Sequence, residues 1–318
     1  MSTPSLFAEP PSRLATSLQV LASQNVFIGM SSWKYPGWMG KIYHEENYRT
    51  RGKFSQKKFE ETCLVEYADT FPIVCGDFSF YQFPSESFWR KLFASAPSSL
   101  QFAFKAPEEI TVKQFPIHAR YGPRAGMLNE SFLNADIFER MFLELLQPYQ
   151  NRTAVIILEF GTFPKSAMQG VEIFVALLDE FLSKLPPMFR YGVEIRNAEF
   201  LGVKYFECLR KHGAAHVFNA WTRMPELDTQ INLAGSMTAD FVVARALLKR
   251  ERPYEEAVAK FAPYSQVQEP NLGARQALAE VAKRAMRQRQ PAYLFVNNRL
   301  EGNAPGTVEG VLDILENE

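Results

Sequence analysis

Short apolar runs rich in β-branched and aromatic residues alternate along this chain with longer stretches in which apolar residues recur every three or four positions. The runs predict strands over Val26 to Ser31, Ile73 to Phe80, Gln101 to Lys105, Ala154 to Phe160, Tyr191 to Arg196, Ala215 to Asn219, Phe241 to Arg245 and Ala292 to Asn297. Between them, Phe59, Cys63 and Tyr67 share one helical face, as do Phe138, Met141, Phe142, Leu145 and Leu146. Val171, Phe174, Val175, Leu178 and Leu182 form a third face, Leu278, Val281, Ala282 and Ala285 a fourth, and Val308, Val311, Leu312 and Leu315 a fifth. Strands alternating with helices argue for parallel βαβ units, and eight of them predict an α/β fold, a (β/α)8 TIM-like barrel. A doubly wound open sheet is the alternative, but neither GxGxxG nor GxxxxGK[ST] follows any of these strands. Residues 1–24 read as a short N-terminal extension, with Leu14, Leu18 and Leu21 at helical spacing behind a Ser12 cap, and residues 25–318 as one barrel domain.

Composition narrows the class. The 318 residues are 47% hydrophobic and include 27 Phe, enough for a large core without disulfides or metals. Lys plus Arg equals Asp plus Glu at 35 each, so the chain lacks the overall basic charge of a dedicated nucleic-acid binder. Cys63, Cys75 and Cys208 are scattered and show no CxxC spacing, which argues for reduced thiols and a cytoplasmic protein. No apolar run is long enough to span a membrane, and the first residues do not read as a signal peptide.

Candidate chemistry sits where the strands end. Their C-terminal ends carry Ser31 and Ser32; Asp77, Ser79 and Tyr81; Lys105; Glu159; Glu194 and Arg196; Asn219; Arg245; and Asn297 with Asn298. Polar residues that close otherwise apolar strands are costly in a core and useful at the mouth of a barrel. Long connections follow Lys105 and Arg245, and on a barrel both rise from that same rim.

Five segments carry a resemblance: IGMSSWKYPGWMGKIY from Ile28, FSFYQFPSESFWRKLFASAPSSLQFAFKAPEEIT from Phe78, GVEIR at Gly192, TADFVVAR from Thr238 and FVNNRLEGNAP from Phe295. In this order they resemble the YecE-like family, domain of unknown function 72, which implies a TIM-like barrel and no established reaction. Cys75 and Asp77 stand where the family usually has Glu and Asn, Glu159 where Gln is common, Leu247 or its neighbour in place of a His, and Asn219 in place of an Asp. These exchanges keep the rim polar and redistribute its charge.

The leading expectation is an enzyme, a hydrolase or acid-base catalyst acting on a small anionic or carbohydrate-like compound, phosphorylated ones included. Glu159 and Glu194 would act as acid and base across the mouth, with Asp77 beside them, while Lys105, Arg196 and Arg245 hold negative charge, Lys105 being also a candidate base or imine former. A structural ion pair between Glu194 and Arg196 or Arg245 explains the same residues. Asn219, Asn297 and Asn298 would position substrate, with Asn303 at the start of the last helix as cap or anion site. Trp33, Tyr35, Trp38 and Tyr43 of the first loop offer stacking faces or a hydrophobic plug, Tyr81 is a further substrate-binding candidate, and His118 belongs to a loop that could cover the site. No cofactor or metal is expected; a single divalent ion on Asp77, Glu159 or Glu194 stays open. The alternative is a nucleic-acid binder or nuclease using Arg120, Arg124 and the basic stretch Lys283, Arg284, Arg287 and Arg289.

Overall fold

The computed structural model describes residues 11–317. Eight parallel strands close into a barrel: β1 (Val26–Met30), β2 (Ile73–Gly76), β3 (Gln101–Lys105), β4 (Thr153–Phe160), β5 (Tyr191–Ile195), β6 (Ala215–Ala220), β7 (Val242–Ala246) and β8 (Ala292–Val296). Helices surround them, as expected for a (β/α)8 barrel. The ring closes where β1 pairs with β8 along its length and with β2 at Met30 and Val74. Gly29 permits that closure, because a Cβ there would lie 1.9 Å from the carbonyl oxygen of Ile73.

Two departures from the expected elements have local causes. The second strand stops at Gly76 instead of running to Phe80, and Asp77–Phe80 winds into a 3₁₀ turn. Ser79 Oγ holds that turn by donating to the carbonyls of Gly76 at 3.0 Å and Lys105 at 2.6 Å. In the helical segment that begins at Ala135, a π-turn over Glu139–Leu143 shifts the buried face by one position. Leu143 therefore enters the core while Met141, expected inside, is 49% exposed.

The barrel has two apolar compartments. Cys75, Ala103, Val155, Ile157, Val217, Val243 and Phe295 fill its interior. Outside, the helices bury their stripes against the strands, and Leu14, Leu18 and Leu21 of the helix Arg13–Ser23 join this larger core. All three cysteines are buried free thiols. Among the described residues, no helix is long and apolar enough to cross a membrane.

Candidate functional site

Inward positions on parallel strands stack in layers, and the layer at the C-terminal mouth is charged. Glu159 and Glu194 are register partners on β4 and β5, and Asn219 and Arg245 are partners on β6 and β7. Arg245 rises from the apolar interior to the centre of this layer and is 1% exposed. Its Nη1 donates to Glu159 Oε2 and Glu194 Oε2, each at 2.6 Å, and its Nη2 donates to Asp77 Oδ1 at 3.1 Å. Glu159 Oε2 is also 3.0 Å from Lys105 Nζ and 3.1 Å from Arg196 Nη2, so three cations converge on one carboxylate oxygen. Arg196 contacts Glu194 Oε1 as well.

Two aromatic residues that the strand-end pattern did not single out as a pair complete the layer. The Arg196 guanidinium lies 3.9 Å from the ring centre of Trp221, just beyond β6, and Lys105 Nζ lies 3.8 Å from that of Phe80. Lys105, Glu159, Glu194 and Arg245 from four strands, Arg196 just beyond β5 and Asp77 from the turn after β2 thus meet in a single network of three cations and three carboxylates. Burial alone would raise the Glu159 carboxyl, but Lys105, Arg196 and Arg245 together hold it well below the usual range. Burial opposes the charge on Arg245, yet Glu194, Asp77 and Glu159 push its proton affinity well above that of a free guanidinium. Burial, reinforced by Asp77, pushes the Cys75 thiol up, so it stays protonated at neutral pH.

The network is not fully saturated by protein. Ser31 Oγ, Asn219 Oδ1, Arg245 Nε and Arg196 Nε and Nη1 are buried at this end of the barrel without a hydrogen-bond partner among the described residues. The Asn219 Nδ2 group donates to the carbonyls of Ile195 and Val217, both at 3.3 Å, and its backbone is clasped by the buried Gln230. Asp77, Glu159 and Glu194, the trio considered for one divalent ion, direct oxygens at Arg245 instead. No group of three or more His, Cys, Asp or Glu side chains arranged to hold a metal is present among the described residues.

Other candidates lie elsewhere. Asn298 Oδ1 accepts from Trp38 Nε1 at 3.2 Å and from Ala304 N at 2.7 Å. Asn303 Oδ1 accepts from Gly306 N at 2.8 Å while its Nδ2 donates to the Tyr264 carbonyl at 2.7 Å. The first turn of the last helix, Ala304–Glu316, is therefore capped by side chains and packed under the segment around Gln266. Gly302, at φ +108°, makes this approach possible, since a Cβ there would lie 2.9 Å from the Gln266 carbonyl oxygen. Replacing Asn303 by Ala is expected to lower stability by about 1–2 kcal/mol in urea unfolding, the usual loss for a cap of this kind. Asn297 Oδ1 accepts from Arg299 N at 3.0 Å.

The aromatic loop after β1 folds inward. Trp33, Trp38 and Tyr43 are buried, Tyr43 donates to the Trp33 carbonyl, and Tyr35 packs against Trp38 and Tyr264. Tyr81 is 60% exposed and faces Arg120, and His118 Nδ1 accepts from the Arg120 backbone in its own loop. Arg120 pairs with Glu108 at 2.6 Å and Arg124 with Glu109 at 2.8 Å, while Arg284 and Arg287 share Glu280.

A cavity of about 850 Å³ opens at the opposite end of the barrel, lined by Gln101, Thr153, Tyr191, Phe241 and Tyr293 at or next to the starts of their strands. A smaller groove of about 380 Å³ lies at the rim beside Trp33, Asp77 and Phe88. Size favours the first, but the buried network of three cations and three carboxylates lies at the mouth, the end at which barrel chemistry is built.

The model of the family described as Protein of unknown function DUF72 matches residues 27–318. The chain belongs to this family. A solved DUF72 protein from Thermotoga maritima MSB8 is 17% identical, with a TM-score of 0.59 over 92% of this chain and 98% of that one. A DUF72 protein from Enterococcus faecalis V583 is 14% identical, with a TM-score of 0.60 over 92% and 97%. At these identities the DUF72 structures show the shared barrel and nothing of the chemistry. A comparison with curated proteins found no match.

Proposed function

We propose that the C-terminal mouth of this barrel binds a small anionic compound and performs acid-base chemistry on it. The observation that carries the reading is Arg196, which is 5% exposed, lies against Trp221, and keeps two guanidinium nitrogens, Nε and Nη1, without a protein partner. Buried donors left open in this way are the groups that recognise an oxyanion. In this reading Glu194, bonded to both arginines, orients the guanidinium groups, and Glu159 stays ionised, held far below the pH range in which a general acid carries its proton. Asp77, whose side chain is 30% exposed, is the carboxylate placed to exchange a proton with a bound compound.

A glycosidase-like pair is less well supported. Glu159 Oε2 and Glu194 Oε2 are no farther apart than twice 2.6 Å, near the roughly 5 to 5.5 Å of retaining enzymes, but Arg245 Nη1 stands between them. The nucleic-acid alternative loses support as well, because Arg120, Arg124, Arg284 and Arg287 each have a carboxylate partner.

Thermal unfolding with inorganic phosphate, sulfate, sugar phosphates and neutral sugars tests the proposal. Anions are expected to raise the midpoint, by about 2.7 kcal/mol of stabilisation at one hundred times Kd, and neutral sugars to leave it unchanged. The rise should vanish in Arg196→Gln. No rise with any anion, or an equal rise in the variant, would overturn the proposal.

A further inference from the structure

We infer that Glu159 is a built-in competitor for the anion, its carboxylate holding the position that an oxygen of the bound compound takes over; this rests on the function proposed above. One oxygen, Oε2, receives Arg245 Nη1 at 2.6 Å, Lys105 Nζ at 3.0 Å and Arg196 Nη2 at 3.1 Å. A single acceptor shared by three cations is the pattern of a bound oxyanion, and here a side chain supplies it. The three acids of the network differ in how they can move. Glu194 is fully buried, and it is fastened to both arginines. Asp77 touches only Arg245 among the cations. Glu159 touches all three cations and keeps 15% of its side chain exposed, so it has an outlet toward solvent.

The cation side of the site is rigid by comparison. Arg196 is held against Trp221, Lys105 against Phe80, and Arg245 between Glu194 and Asp77. These contacts do not involve Glu159, so the three cations keep their places when it swings away. The free nitrogens of Arg196, Nε and Nη1, belong to the same guanidinium whose Nη2 meets Glu159, and they supply the further donors that a ligand has and the side chain does not use. The ligand class that follows is a carboxylate or phosphate with one oxygen at the Oε2 position and a second at Arg196. With all six groups ionised the network is neutral, so an anion gains net attraction only as the Glu159 carboxylate withdraws.

Calorimetric titration of inorganic phosphate, sulfate and succinate into the wild type, Glu159→Gln and Glu194→Gln tests this. Both variants remove one negative charge, but only the first weakens the acceptor that occupies the shared position. Glu159→Gln is expected to bind its preferred anion at least tenfold more tightly than the wild type, and Glu194→Gln to show a much smaller gain. Succinate preferred over phosphate would assign a carboxylate ligand, and the reverse a phosphate. Equal gains in both variants would reduce the effect to net charge and overturn the inference, as would a Glu159→Gln affinity no better than that of the wild type. Should Glu159→Gln fail to unfold cooperatively, Glu159→Asp keeps the charge and draws the carboxylate back by one methylene. It is expected to bind more tightly than the wild type, and equal or weaker binding overturns the inference. If no form of the protein binds any of the anions, the proposed function itself falls, an outcome distinct from binding that is indifferent to Glu159.

Discussion

Arg245→Ala is expected to destabilise the fold by about 3–5 kcal/mol, the usual effect of removing one partner from a buried ion pair. Arg245 is 1% exposed and is hydrogen-bonded to Glu159, Glu194 and Asp77 together. Its loss leaves the fully buried Glu194 carboxylate with Arg196 as its remaining cationic contact. Urea unfolding at neutral pH measures the change. Arg245→Lys should recover only part of it, because one ammonium group cannot reach Glu159 and Glu194 on one side and Asp77 on the other as the guanidinium fork does. In the wild type Glu159 is depressed, and its contribution is present above pH 4.5 and lost as pH falls below it. A loss under about 1 kcal/mol in Arg245→Ala would show that the network is solvated and does not bind the mouth together.

A second large effect comes from His216, outside the barrel wall. Its ring is packed edge-on by Tyr205, Phe206 and Phe218, with Nδ1 3.3 Å from the Tyr205 hydroxyl. Burial pushes its pKa down from 6.5 to about 3, against a smaller opposing effect of Gln230. Between these two values the unfolded chain binds a proton that the folded chain refuses, so stability is complete above pH 6.5 and falls as the pH drops. The slope is about 1.4 kcal/mol per pH unit for one proton, hence about 2 kcal/mol lost on going from pH 8 to pH 5. At pH 5 the Glu159 contribution is still in place, so the two effects separate. His216→Phe keeps a flat apolar-compatible ring and should remove this difference. Urea unfolding at both pH values reads it, and an unchanged pH dependence in the variant would show that the ring is already charged or solvated.

Much of the architecture was legible from pattern alone. Periods of two and of three to four residues placed all eight strands to within a few residues, and the buried faces of the helices Gln56–Thr70 and Leu272–Gln288 carry the residues expected. The errors are local. Gly76 does not announce in sequence that the chain will turn there, because the turn is held by Ser79 reaching the carbonyl of Lys105, a residue on the neighbouring strand. Likewise, nothing in the spacing of Phe138 and Met141 signals a π-turn that advances the buried face by one position.

For the candidate site the division is sharper. The sequence by itself determined that polar residues would gather at the C-terminal ends of the strands, since hydrophobic alternation assigns each residue a face and strand polarity assigns it an end. That was enough to place Lys105, Glu159, Glu194, Arg196 and Arg245 on one rim. It did not determine which of them meet, nor that Trp33 turns inward while Trp221 and Phe80 cover the cations. Only the tertiary structure decided these points. Barrel register sets which side chains share a layer, and it is fixed by pairings such as Glu159 with Glu194 and Asn219 with Arg245 across neighbouring strands of the closed ring. A charge chooses its partner by distances of a few ångströms, and such distances exist only after the ring has closed.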